Sequence, residues 1–97
     1  MSSSKDYLRF ILEQLSDAAT ITYRPMMGEF LLYCDGVLFG GVYDNRLLIK
    51  KTTNNLKFNL PKVIPYEHAK AMYQIEDIYN REMLNLIILV TVNDLKN

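Results

Sequence analysis

The 97-residue chain reads as an α+β fold of two layers, an antiparallel sheet flanked by an N-terminal and a C-terminal helix. Three observations predict this. First, Tyr23 to Lys50 contains three short apolar runs separated by Asp35-Gly36 and Asp44-Asn45, pairs that readily take the positive φ of tight hairpin turns. Second, Leu8, Ile11, Leu12 and Leu15 recur at the i, i+3, i+4, i+7 spacing of one helix face. Third, Arg81 to Leu95 carries Leu84, Ile87, Ile88, Thr91 and Leu95 on one stripe and is too long for an ordinary strand. The sheet is expected as a four-stranded meander with a fifth strand at its edge, and residues 1–97 as a single domain.

Length and composition bound the class. A chain of this size buries enough surface to fold without a metal or a disulfide. Eleven basic residues balance eleven acidic ones, so neither disorder nor a strongly basic nucleic-acid-binding domain is indicated. Cys34 is the single cysteine, which rules out an internal disulfide and leaves the cytoplasm as the expected compartment. The polar start, Met1 to Asp6, does not read as an export signal. The most apolar run, Leu86 to Val92, is far short of the ~20 residues of a membrane span, so no membrane association is expected.

In chain order, Ser3 with Asp6 three positions later predicts the start of the first helix, and Ser16-Asp17 its end. Thr20 to Arg24 alternates as a half-buried strand that Pro25 either stops or confines to an edge. A two-residue turn at Asp35-Gly36 pairs Cys34 with Val37, Tyr33 with Leu38, Leu32 with Phe39, Leu31 with Gly40 and Phe30 with Gly41. The turn at Asp44-Asn45 sets Val42 opposite Leu47 and Gly40 opposite Ile49. Gly40-Gly41 could instead mark a bulge that shifts this register. Both faces of the central hairpin come out apolar, so something should cover the second face. Arg46 to Lys70 is expected to be mostly loop, with one helical turn near Leu56 to Leu60, and Met72 to Asp77 to be the fifth strand. Asn80 is the expected cap of the last helix. Leu86, Leu89, Val90 and Val92 lie off its stripe, so this helix should make two sets of contacts.

No catalytic constellation is visible, and no enzyme activity, cofactor or metal is expected. One histidine, His68, and one cysteine make no zinc cluster. No glycine-rich phosphate loop or nucleophile elbow occurs. Cys34 reads as a quiet strand-end cysteine, and Glu29, Asp35 and Asp44 as turn carboxylates at different ends of the strands. From Arg46 to Lys70 the charge is one-sided: Arg46, Lys50, Lys51, Lys57, Lys62 and Lys70 stand against Glu67 alone. Lys50, Lys51, Lys57 and Lys62, with Phe58 and Tyr66 nearby, form a candidate nucleic-acid contact, against the plainer reading of a solvated loop.

The central stretch resembles the N-terminal domain of the TfoX/Sxy competence regulators. The residues that carry the likeness are Tyr23-Arg24-Pro25-Met26-Met27-Gly28, Leu32-Tyr33-Cys34-Asp35-Gly36, Phe39-Gly40, Asp44-Asn45 and Leu47-Leu48-Ile49-Lys50. Departures from the family pattern are Met27 for Phe, Gly40 for Ala and Leu48 for Tyr. The signature positions Tyr23, Arg24, Gly28, Tyr33, Asp35, Gly36, Phe39 and Lys50 have a structural account in turns and packing. The resemblance implies a two-layer domain with an antiparallel sheet, standing alone here without the family's C-terminal domain. It also implies a protein-interaction role in regulating transcription and competence, with a partner such as the cyclic-AMP receptor protein. The surplus apolar surface leaves a homodimer as another expectation. A nucleic-acid contact through residues 46–70 is the alternative, and a small-ligand-binding or enzymatic domain a further one.

Overall fold

The computed structural model describes residues 3–15 and 20–96. The expected α+β class holds: two helices and a six-stranded, wholly antiparallel sheet. The elements are α1 (Lys5–Gln14), β1 (Ile21–Met26), β2 (Glu29–Cys34), β3 (Val37–Val42), β4 (Leu47–Ile49), a 3-10 turn (Asn55–Phe58), β5 (Lys62–Val63), β6 (Met72–Ile75) and α2 (Arg81–Lys96). The order across the sheet is β1-β2-β3-β4-β6-β5. The expected fifth strand is β6, beside β4. The extra strand, β5, comes from the segment expected to be loop and pairs Lys62 with Tyr73 and Val63 with Met72.

Three turns of one kind set the meander. Asp35-Gly36 (φ 49° and 84°) and Asp44-Asn45 (53° and 54°) adopt the left-handed conformations the sequence suggests. Met27-Gly28 (49° and 86°) makes a third such turn, in which Gly28 takes the turn role expected of it, and the first strand lies on an edge and does not stop at Arg24. β1 instead runs through Pro25 to Met26. Proline is tolerated because β1 is an edge strand. With Met26 and Glu29 closing the two-residue turn as a hydrogen-bonded pair, Thr22 and Arg24 face β2, and the missing N–H of Pro25 lies on the open side. The same proline removes a donor from an edge that would otherwise accept another strand.

The β2–β3 register departs from simple pairing at a bulge. Cys34↔Val37 and Tyr33↔Leu38 are as expected, but Leu32 then pairs with Gly40, Leu31 with Gly41 and Phe30 with Val42. Phe39 is the extra residue, and two residues of β3 therefore oppose Leu32. The bulge keeps Phe39 and Val42 both fully buried. A Cβ at Gly40 would overlap the Leu48 carbonyl oxygen and lie 2.8 Å from Ile49 Cα. The alanine usual in the family would therefore require β3 and β4 to shift here. Beyond the bulge, Val42↔Leu47 and Gly40↔Ile49 pair as expected.

Both helices lie on one face of the sheet. Leu8, Ile11 and Leu15 at α1 and Leu84, Ile87, Ile88 and Val92 of α2 pack with Phe30, Leu32, Cys34, Phe39, Val42, Leu47, Ile49, Tyr73 and Ile75 in a single core. The α1 cap is Ser4, whose hydroxyl accepts from Tyr7 N–H, one residue later than expected. Ser3 is used elsewhere: its hydroxyl donates to Glu29 Oε1 and accepts from Asn45 N–H, while its own N–H donates to the Gly28 carbonyl. Glu29 also accepts from Asp44 N–H, so Glu29 and Asp44 share one end of the sheet and only Asp35 lies at the other. The expected end of α1 at Ser16-Asp17 lies outside the described residues. Asn80 caps α2 as expected, accepting from Met83 N–H.

Buried polar residues tie the elements together. Gln14 donates to the Ile78 carbonyl, and Asn85 donates to the carbonyls of Gln14 and Arg81. Asn55 is fully buried and ties the 3-10 turn to the Lys50 carbonyl and to Thr91 of α2. A surface link runs parallel to it: Asn54 donates from its backbone and side chain to Asp94. Hydrogen bonds from Thr52 and Asn54 hold the Asp94 carboxyl below the usual carboxylate range. A depressed folded value means that the unfolded chain binds the proton first as pH falls. The link therefore stabilises the fold above the usual carboxylate range and is lost as pH drops through the lower folded value. Asp94→Ala is expected to lower the melting temperature slightly at neutral pH, with the difference from wild type vanishing in acid. A melting series in pH checks this, and a pH-independent difference would rule it out.

Candidate functional site

With both helices on one face, the second face of the sheet becomes the place to look. Cross-strand pairing puts Arg24, Leu31, Gly41, Leu48 and Gln74 in one row on this side, with Tyr33 and Leu38 in the next. Gly41 matters here. A Cβ on it would come within 2.5 Å of the Phe30 carbonyl oxygen and 2.8 Å of the Tyr43 ring, so its bare backbone lets Tyr43 pack close to the strand, 5% exposed. Leu48, in the same row, is fully buried, so part of this face is covered. The cover comes from the chain before β6: Pro65, Tyr66 and Ala69 stand along the face, and the Tyr66 ring centroid lies 6.3 Å from that of Tyr43. The cover predicted from the two-sided apolar pattern is therefore supplied in part by a loop, and no helix contributes to it.

What remains is an open groove of about 850 Å³. Met26, Leu31, Leu38 and Met72 form its apolar floor, Tyr43, Pro65 and Tyr66 a wall, and Lys50, Lys51 and Lys70 its charged boundary. Among the described residues, none that lines it is acidic. Arg9 pairs with Asp6, and Glu67 lies 3.6 Å from His68, and neither contact engages a lysine. Burial, and then the neighbouring Tyr66 and Glu29, push the Tyr43 hydroxyl above its usual value. It remains a neutral phenol at physiological pH.

The four lysines read as a candidate nucleic-acid contact do not converge. Lys50 and Lys51 border the groove. Lys57 sits on the 3-10 turn beside a smaller depression of about 540 Å³ between that turn and α2. Lys62, opposite Tyr73 on β5, points to the helix side. Lys70 completes the cationic cluster instead. Of the groove residues, Tyr66 and Lys70 are marked in the sequence only as part of the basic 46–70 segment and Met26 only as part of the family likeness, Tyr43 and Met72 carry no site signal, and only the excess of apolar residues on the hairpin points to a second face.

The signature positions divide between turns, core and groove. Gly28, Asp35 and Gly36 set turns, and Phe39 fills the core. Tyr23 packs edge-on against Phe30, with ring centroids 5.8 Å apart. Arg24, Tyr33 and Lys50 lie on the groove side. Among the described residues no three of His, Cys, Asp and Glu are grouped as a metal site would require. Cys34 is 1% exposed, and burial, reinforced by the adjacent Asp35, raises its thiol. It is expected to resist a thiol-reactive dye at neutral pH until the protein unfolds, so that labelling tracks the unfolding curve. Rapid labelling of the native protein would contradict this placement.

The family model of the TfoX N-terminal domain matches residues 13–83. The chain belongs to that family. The matched span holds the whole sheet, every residue lining the groove and the first three residues of α2. A relative from Spirochaeta aurantia, described as an uncharacterized 12.7 kDa protein in the trpE 5' region, is 30% identical over 80 residues. That alignment covers 80% of this chain and 70% of the relative. TfoX N-terminal domain membership ties the chain to competence regulation at the level of the family. No helix among the described residues is long and apolar enough to cross a membrane.

Proposed function

We propose that this domain is a non-enzymatic protein-interaction module whose partner docks on the helix-free face of the sheet, in a cytoplasmic regulatory setting of the kind its family suggests. One observation carries the reading. An antiparallel sheet that faces solvent normally presents polar residues there, yet this face offers an open groove floored by Met26, Leu31, Leu38 and Met72. Methionines and leucines in a shallow concave surface adapt to a partner's side chains, as promiscuous binding surfaces do. The partner is a transcription factor such as the cyclic-AMP receptor protein, as the resemblance suggests, or a second copy of the chain. The outer face of α2, where Met83, Leu86 and Leu89 stay nearly half exposed, is a separate apolar strip.

A photo-crosslinking side chain introduced at Leu38, and separately at Leu89, in native host cells tests the assignment. An adduct of discrete mass from the Leu38 position, lost on Leu31→Asp, is expected. A mass twice that of the chain identifies a second copy, and any other mass a different protein. Adducts from Leu89 alone, or none from either position, would overturn the reading.

A further inference from the structure

We infer that the groove's occupant is an acidic peptide segment in which carboxylates stand beside aliphatic or aromatic side chains. This rests on the docking-face reading and deepens it by giving the partner's chemistry. The argument is charge complementarity over an apolar floor. Lys50, Lys51 and Lys70 border the groove, and Arg24 stands in the same cross-strand row as the floor residue Leu31. None of the four forms an ion pair among the described residues. The carboxylates nearest this side stay outside the lining: Glu29, cross-strand from Met26 and close to Tyr43, accepts from Ser3 Oγ and Asp44 N–H, and the exposed Glu67 stands beside His68. The described lining of the groove is thus cationic, with no acidic residue in it. Cations around such a floor attract an anion that also has apolar surface to bury.

Phosphodiester strands present anions too, but the aromatic surface they need is missing. Single strands bind by stacking bases on exposed rings. Here Tyr43 is 5% exposed and already covered, which leaves Tyr66 as the exposed ring on a floor otherwise made of Met and Leu side chains. Such a floor fits the branched and aromatic side chains of a peptide. An extended segment of about eight residues reaches ~26 Å.

The test uses the full chain and a fluorescent peptide of about eight residues alternating Leu or Phe with Glu. The competing probes are the same peptide with Lys for Glu, a Gly/Glu peptide and an oligothymidylate of matched length. The Leu/Glu peptide is expected to bind best, and to weaken as salt screens the charges. Reversing Lys50, Lys51 and Lys70 to Glu should cost about tenfold or more in its affinity. The same triple variant should then prefer the Lys-bearing peptide, an exchange that a merely unfolded variant could not show. Equal binding of the Gly/Glu peptide, tighter binding of the oligothymidylate, or an affinity indifferent to the charge reversal would each overturn the inference. Loss of peptide binding with the Leu38 adduct intact would refute only the partner's chemistry. Loss of both would refute the docking face itself.

Discussion

Phe39→Ala is expected to destabilise the domain by about 3–5 kcal/mol, the range for removing a large buried aromatic side chain. Phe39 is among the largest fully buried side chains, and the extra residue that β3 carries opposite Leu32 lets Val42, paired with Phe30, share the core face with it. The bulge leaves no other side chain able to fill the space, since its neighbour Gly40 has none and its other neighbour, Leu38, turns to the groove. For a domain whose total stability falls in the ordinary 5–15 kcal/mol range, such a loss leaves much of the protein unfolded at growth temperature. Leu38→Ala, one residue away and half-buried, is expected to cost about 1 kcal/mol or less. Urea unfolding of the two variants checks the contrast. Similar midpoints for both would mean that the two residues do not face opposite sides of the sheet.

Asn55→Ala is expected to cost about 3 kcal/mol, which is large for a residue in a segment that reads as loop. The side chain is fully buried and its amide is fully used. Oδ1 accepts from Thr52 N–H at 2.9 Å, and Nδ2 donates to the Lys50 carbonyl at 2.8 Å and to Thr91 Oγ1 at 2.9 Å. Truncation removes the partner of two part-buried backbone groups, at the lower end of ~1–3 kcal/mol each, and the buried Thr91 hydroxyl keeps only its bond to the Ile87 carbonyl. The consequence extends to the groove, because Asn55 fixes the backbone that presents Lys50. Hydrogen exchange at Lys50 to Thr52 is expected to rise in the variant before global unfolding, and partner affinity to fall with it. Exchange rates equal to wild type in that segment would show that Asn55 holds nothing there.

The likeness between the family pattern and the site is partial for a physical reason. Turns and core are specified by residues close in sequence. Asp35-Gly36 and Asp44-Asn45 dictate their own φ values, and the pairing that follows from them was correct wherever no bulge intervened. The groove instead assembles Met26, Leu38, Lys50, Tyr66 and Met72, residues that no local rule brings together. The polarity of the segment from Lys50 to Lys70 hid this, because a lysine-rich stretch looks the same whether it is wholly solvated or borders a cleft. Asn55 was hidden likewise, since asparagine in a loop usually serves a turn.

By itself, then, the sequence determined the class of fold, the two predicted hairpin turns, most of the buried face of each helix (Val92, expected off the stripe of α2, lies in the core) and the surplus of apolar residues on the hairpin. Periodicity and turn chemistry act over a few residues and are written locally. Only the tertiary structure decided the bulge at Phe39, the sixth strand, the placement of both helices on one face and the grouping of Lys50, Lys51 and Lys70. Those depend on which distant segments meet when the core closes, and close packing selects that arrangement from the whole chain at once.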